Sequence, residues 1–209
     1  MKGSLRITAS VSFGVQYLVP RLPTFSDRYP DLSIDLVLND AVLDLVAERI
    51  DVGVRLGTLP DTSLIANRWM TTRYRVVASP GYLTRHGTPK KPQDIAEHNC
   101  LRFPLEGFNS RWIFKDKKDV ETEVRIGGKL SVNNGMGMGL QQCAIAGMGI
   151  SLLPGWLIEN DLTTGRLVDL FPLWAVTATD FNTAVWFVYP SRAYVPQKVR
   201  ALMEHLRMG

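Results

Sequence analysis

The hydrophobic period of this chain changes repeatedly between residues 5 and 55, and that pattern constrains the fold more than any other feature. LRITA, residues 5–9, reads as a strand. Val15, Leu18, Val19, Leu22 and Phe25 then fall at helical spacing until Tyr29-Pro30 stops the pattern. LSIDLVL, residues 32–38, alternates apolar and polar side chains like a half-exposed strand. The spacing predicts a short helix over 42–49 and another strand over 51–55. Strand, helix, strand, helix, strand implies right-handed crossovers and a parallel sheet covered by helices. Pro20 and Pro23 oppose a regular helix, because an interior proline removes a hydrogen bond and kinks the axis.

The same order returns further on. Residues 69–79 are rich in strand formers, and PGYL at 80–83 opens a helical turn. A strand is predicted over 129–132, a helix over 136–147 and a strand over 150–153, with Pro154 where a helix can begin. VWFVY, residues 185–189, is a wholly apolar strand, followed by a helix over 196–207. The reading is two α/β lobes, each a mostly parallel sheet flanked by helices. The first is discontinuous, over 1–74 and 170–209, and the second covers 75–169. With 209 residues, 45% hydrophobic and 21% charged, the chain has enough apolar material for such cores.

Several classes of function find no support. The net charge is +4, but the cations are scattered, and the densest run, KDKKD at 115–119, is interrupted by acids and reads as a solvated turn. No nucleic-acid surface is therefore expected within the chain. No apolar run approaches the length of a membrane span, and MKGS leads into a strand without a signal-peptide core, so the expected location is cytoplasmic. Cys100 and Cys143 form no CxxC, and His86, His98 and His205 share no metal-ligand spacing. His98 and Cys100 lie at strand spacing, but two ligands do not make a site. No metal and no cofactor is implied.

The candidate binding residues sit where strands hand over to helices. In ITASVSFG, Ser10 and Ser12 place two hydroxyls at such a turn. They either cap the helix or, with its free N–H groups, cradle an anion. SVNNGMGMG, residues 131–139, repeats the arrangement with Asn133, Asn134 and Gly135, which read as an Asn-Gly turn, a cap or a ligand cradle. Arg55 ends the third strand, where a guanidinium forks onto a carboxylate or else pairs at the surface with Asp51 or Glu48. Two such junctions on two lobes place a ligand beyond the carboxyl ends of strands. Phe103, Leu105 and Trp112 are read as an apolar wall or as core, and Trp156 as packing. No histidine or carboxylate is placed by sequence beside Ser10 or Ser12, which counts against an enzyme.

The run LRITASVSFGVQYLVPRLPTFSDRYPDLSIDLVLNDAVLDLVAERIDVGVRLG, followed by SLIANRW, RYRVVASPGYL, GTPKKPQDIAEHNCLRF, LSVNNG, AIAGMGISLLPGWLIENDLTTGRLVDL and VYPSR, resembles the effector-binding (substrate-binding) domain of LysR-type transcriptional regulators. Within that family it is similar to the CrgA-like branch. The likeness covers residues 4–208. Residues 135–139 hold more Gly and Met than the pattern, and 171–183 match it weakly. The resemblance implies a two-lobed fold of the type II periplasmic-binding-protein kind, joined by two crossovers, with an effector in the interlobe cleft. It places Ser10, Ser12, Phe13, Arg55, Asn133 and Asn134 at or beside the effector. It also implies a homodimer or tetramer, in which a helix over 15–25 of one copy lies antiparallel to one over 138–146 of its partner. DNA would be read only through an amino-terminal winged helix-turn-helix and linker helix, which lie outside this chain. The leading expectation is a non-catalytic sensor of a small anionic effector. A solute-binding protein for transport is the alternative, and an enzyme of the same fold is a more distant one.

Overall fold

The computed structural model describes residues 1–57, 64–104, 108, 110–132, 137–190 and 195–208. The chain divides into two compact units, Met1–Thr72 with Asn182–Gly209, and Arg73–Phe181.

The first unit begins with β1 (Gly3–Ala9), a helical stretch from α1 (Val11–Phe13) to α2 (Leu22–Arg28), and then β2 (Leu32–Leu38), β3 (Val52–Gly57) and β4 (Ile65–Thr71). The second contains β5 (Tyr74–Ala78), α3 (Pro80–His86), a 3₁₀ turn at Pro92–Glu97, β6 (Cys100–Leu101), β7 (Arg111–Lys115) and β8 (Glu121–Arg125). It continues through α4 (Met138–Ile145), β9 (Ile150–Pro154), α5 (Gly155–Thr163), β10 (Val168–Asp169) and β11 (Ala175–Thr177). The chain then returns to the first unit with β12 (Ala184–Tyr189) and α6 (Gln197–Met208).

The first sheet has the order β2-β1-β3-β12-β4. Its centre is parallel, as the period pattern predicts, with β1 beside both β2 and β3. β12 runs antiparallel to β3 and β4. Leu5, Ile7, Ala9, Val54, Val185 and Phe187 are buried along these strands. Val199, Leu202, Met203 and Leu206 form the buried stripe of α6, at the i, i+3, i+4, i+7 spacing of an amphipathic helix. Lys198 of α6 ties that helix to the sheet through Asp51 (2.6 Å).

The prolines reshape the first helical stretch without ending it. Gly14–Leu18 opens into a π turn, Val19–Arg21 tightens to 3₁₀, and α2 resumes at Leu22. Pro20 has no N–H for the turn below it. The Arg21 guanidinium reaches back to the Tyr17 carbonyl (3.0 Å) and lies 3.7 Å from the centre of the Tyr17 ring.

The helix predicted over 42–49 does not form. That segment is a series of turns in which Asp44 Oδ1 accepts from the N–H groups of Val46 and Ala47, and Arg49 has φ +53°. Local carboxylate-to-backbone bonds compete with the helix here. Leu45 is buried, whereas Val42 and Val46 are 86% and 68% exposed, so the apolar spacing does not mark one buried face.

The second sheet departs from the expected parallel layout. Its main path is β6-β9-β5-β11-β7-β8, with β10 beside β5. Only β6 and β9 pair in parallel, while β5–β9, β5–β10, β5–β11, β7–β11 and β7–β8 are antiparallel. Hairpin geometry gives the reason: β7 and β8 fold back on the Asp116–Asp119 turn, where Asp116 Oδ1 accepts from the N–H groups of Lys118 and Val120. This is the solvated turn read in KDKKD. The strand predicted over 129–132 reduces to one bridge between Ser131 and Arg102. Residues 170–181, assigned by sequence to the first lobe, pack in the second unit because β11 pairs with β5 and β7; the unit boundaries fall at 72/73 and 181/182.

Candidate functional site

β1 ends at Ala9, whose carbonyl accepts the Asn39 N–H just beyond β2 (3.0 Å). Ser10 stays extended (φ −61°, ψ 151°), and its carbonyl receives the Gly14 N–H (2.8 Å), starting the helical path. At Gly14 a Cβ would fall 2.1 Å from Leu38 Cδ2 at the end of β2, so a larger residue there would displace the half-buried Leu38 side chain. Phe13 is fully buried, stacked on Tyr17 at 4.9 Å and edge-on to Trp69 at 5.6 Å. It anchors the turn through its ring.

The Ser10 hydroxyl does not cap the helix. The residue is 8% exposed, and its Oγ finds no hydrogen-bond partner among the described residues. Capping is done by Asp40, whose Oδ1 accepts the Val11 N–H at 3.0 Å. Sequence reasoning missed Asp40. Its only signal was that strand 32–38, laid in register against 3–9, would bring the residues after Leu38 beside those after Ala9. Ser12 is fully buried.

Arg55 stands at the same end of the sheet. β1 and β3 pair in parallel with Ile7 opposite Val52 and Thr8 opposite Gly53. A Cβ on Gly53 would meet Thr8, Val188 and Leu45, so those residues share one face. Two residues further along each extended chain, strand alternation puts Ser10 and Arg55 level and on that same face. The Arg55 Nη2 donates to the Leu43 carbonyl (3.2 Å), and partial burial lowers the guanidinium pKa from its usual value. The surface pairing with Asp51 is not made. Asp51 instead accepts from Lys198 and from the Arg6 N–H.

A buried hydroxyl without a partner costs about 1–3 kcal/mol, and a part-buried guanidinium that among the described residues bonds only a neutral carbonyl gains from a carboxylate. Ser10 and Arg55 together therefore offer a donor pair for an oxyanion. The other candidates are placed differently. Asn133 and Asn134, like Leu105, lie outside the described residues. Trp112 is buried in the second unit's core, and Phe103 and Trp156 pack against the cluster of Leu101, Leu140, Leu153 and Leu157.

His98 meets Tyr82, not Cys100: its Nδ1 lies 3.2 Å from the Tyr82 hydroxyl, which also accepts the Asn99 N–H. Burial pushes the Cys100 thiol up to about 12, so it is un-ionised at neutral pH. Among the described residues no group of three or more His, Cys, Asp or Glu is placed to hold a metal ion, and no helix is long and apolar enough to cross a membrane.

Residues 1–209 match the family described as the LysR substrate binding domain. The chain is 30% identical over 205 residues to the HTH-type transcriptional regulator CrgA of Neisseria meningitidis serogroup C, covering 98% of this chain and 66% of that protein. It is 32% identical over 208 residues to the regulator DmlR of Escherichia coli K12, covering 99% of this chain and 65% of DmlR. Its fold superposes on the CrgA regulatory domain of Neisseria meningitidis with a TM-score of 0.84 at 28% identity, covering 100% of this chain and 98% of that one. The chain thus spans about two thirds of the length of the curated relatives it matches. The full-length match of the family, with the mixed α/β units, establishes that this chain belongs to the LysR substrate-binding-domain family, as the regulatory domain of a LysR-type transcriptional regulator.

Proposed function

We propose that this domain senses a small anionic effector, a carboxylate, held at the carboxyl ends of β1 and β3. Ser10, Ser12, Phe13 and Arg55 are its candidate residues in the first unit, and Asn133 and Asn134, outside the described residues, stay candidates on the sequence alone. The observation that carries this reading is the buried Ser10 hydroxyl, without a partner among the described residues and level with a part-buried Arg55 on one face of the sheet. The role of Phe13 is to hold the turn from below, so that backbone and hydroxyl donors are preset.

The domain acts without catalysis. A ligand bound more tightly by one conformation raises the population of that conformation, and the intact regulator reads the shift as altered DNA binding. DNA is contacted through an amino-terminal helix-turn-helix outside this chain, and the protein works in the cytoplasm as a homodimer or tetramer. Val15 and Val19, half-exposed on the first helical stretch, support self-association there, with residues 138–146 of the partner as the facing segment. Light scattering at tens of micromolar should give a dimer, and a monomer would remove that part of the reading.

A thermal-shift screen of small organic acids tests the site. At about 100 times its Kd a bound acid adds about 2.7 kcal/mol of stability. Arg55→Ala should cut the increment to about 0.3–1.3 kcal/mol, and Asn134→Ala should reduce it. Full increments in both variants would place the effector elsewhere.

A further inference from the structure

The first sheet carries a cross-strand row beside this site. Trp186 of β12 stands opposite Arg55 of β3 and also opposite Arg68 of β4. Alternation puts Trp186 on the face of Val188, which is the face of Gly53 and Arg55. The Arg68 guanidinium lies 6.0 Å from the centre of the Trp186 ring. The row therefore runs Arg55, Trp186, Arg68, with Ser10 level with it on the far side of Arg55.

The indole is fixed and partly open. Its Nε1–H donates to the Gly57 carbonyl at 2.9 Å, and it packs beside Leu43 and Leu64 on the Leu45–Val188 cluster while remaining half-buried. Arg55 donates to a carbonyl, and Arg68 to the Thr71 hydroxyl (3.3 Å). Among the described residues neither guanidinium is ion-paired with a carboxylate. Strands about 4.8 Å apart separate the two arginine backbones by about 9.6 Å, with the indole midway.

An inorganic anion or a short aliphatic acid would use one guanidinium and leave the ring idle. A flat aromatic acid uses the whole row. Its carboxylate forks onto Arg55 and takes the Ser10 hydroxyl, its ring lies against Trp186, and its far edge points to Arg68. We propose that this row selects an aryl carboxylate as effector, with Trp186 recognising the ring and Arg68 favouring a second acidic group on its far side. This inference rests on the reading that the effector's carboxylate is held at Ser10 and Arg55.

Calorimetric titration of the chain with benzoate, cyclohexanecarboxylate and terephthalate tests it. Benzoate should bind about 2- to 12-fold tighter than cyclohexanecarboxylate, the range expected for an aromatic contact. Trp186→Phe should keep most of that preference, and Trp186→Leu should remove it without weakening cyclohexanecarboxylate. Terephthalate should bind tighter than benzoate, and Arg68→Ala should erase that difference alone; this arm decides the matter if Trp186→Leu does not fold. Equal binding of benzoate and cyclohexanecarboxylate, or a preference that survives Trp186→Leu, would overturn the row while leaving the carboxylate site standing. Unchanged binding of all three acids by Arg55→Ala would overturn the carboxylate site itself, and no binding of any acid by the wild-type chain would overturn both.

Discussion

Two serines in this molecule occupy the same kind of place and do different things. Ser10 follows β1 and Ser79 follows β5; both are extended, at φ −61°, ψ 151° and φ −76°, ψ 150°, and both are nearly buried, at 8% and 5% exposure. Ser79 caps its helix, accepting the Tyr82 N–H (3.4 Å). Ser10 makes no such bond, and the N–H of Val11 that follows it is held instead by Asp40. A carboxylate from beyond β2 serves one N–H of this turn, while the Ser10 hydroxyl has no partner among the described residues. The backbone conformation of a strand-to-helix serine therefore does not reveal its role; the hydrogen bond that its hydroxyl makes or lacks does.

The comparison can be broken or sharpened by substitution. The largest effect is expected beneath the first junction, where Phe13→Ala should cost about 3–5 kcal/mol in urea unfolding because the ring is wholly enclosed. A loss below about 1 kcal/mol would mean that the ring does not anchor the turn. Next comes Arg55→Ala, which should lose about 1.5–3 kcal/mol of carboxylate affinity, measured calorimetrically, as a charge-assisted bond disappears. Asp40→Ala and Ser79→Ala should each cost about 0.5–2 kcal/mol of thermal stability as cap losses, whereas Ser10→Ala should cost nothing measurable. Equal losses for both serines would erase the distinction between the junctions.

The smallest effect is a pH dependence at the second junction. His98 faces Tyr82 from the end of the 3₁₀ turn, and burial, followed by the nearby His86, lowers its pKa below the usual 6.5, against weaker opposing pulls from Asp94 and Glu97. The unfolded chain therefore binds this proton more readily than the folded one. Stability from this source is present above about pH 6.5 and is lost as the pH falls through the unfolded value toward the lowered folded one. Urea midpoints at pH 7 and pH 5 should differ less in His98→Gln than in the wild type; an unchanged difference would exclude His98 as the source.

The parts of this picture that were legible in sequence are those where the period of apolar residues changes. Residues 5–9, 32–38, 51–55 and 185–189 were legible as strands, 32–38 by alternation and 185–189 as an unbroken apolar run, and the small polar residues at 10 and 12 marked the turn between two periods. Strand direction carries no such mark, so the antiparallel pairing of β5 with β9 and of β7 with β8 could not be read. The helix expected over 42–49 failed because Asp44 bonds its own following N–H groups. Asp40 and Trp186 were missed for one reason: each acts across strands, and its meaning appears only when the register with residues 9–10 or residue 55 is known.

The most direct test of the central claim sets Ser10→Ala beside Ser79→Ala in one thermal-shift experiment, using the organic acid that stabilises the wild-type chain most. For a chain of this size each kcal/mol of binding raises Tm by about 2–4 °C. Ser10→Ala should unfold at or above the wild-type Tm without ligand, because an unpartnered buried hydroxyl is removed, and show a reduced ligand-induced rise. Ser79→Ala should begin from a lower Tm and keep the full rise. A lowered starting Tm with an intact ligand-induced rise in Ser10→Ala would make Ser10 an ordinary cap and contradict the account.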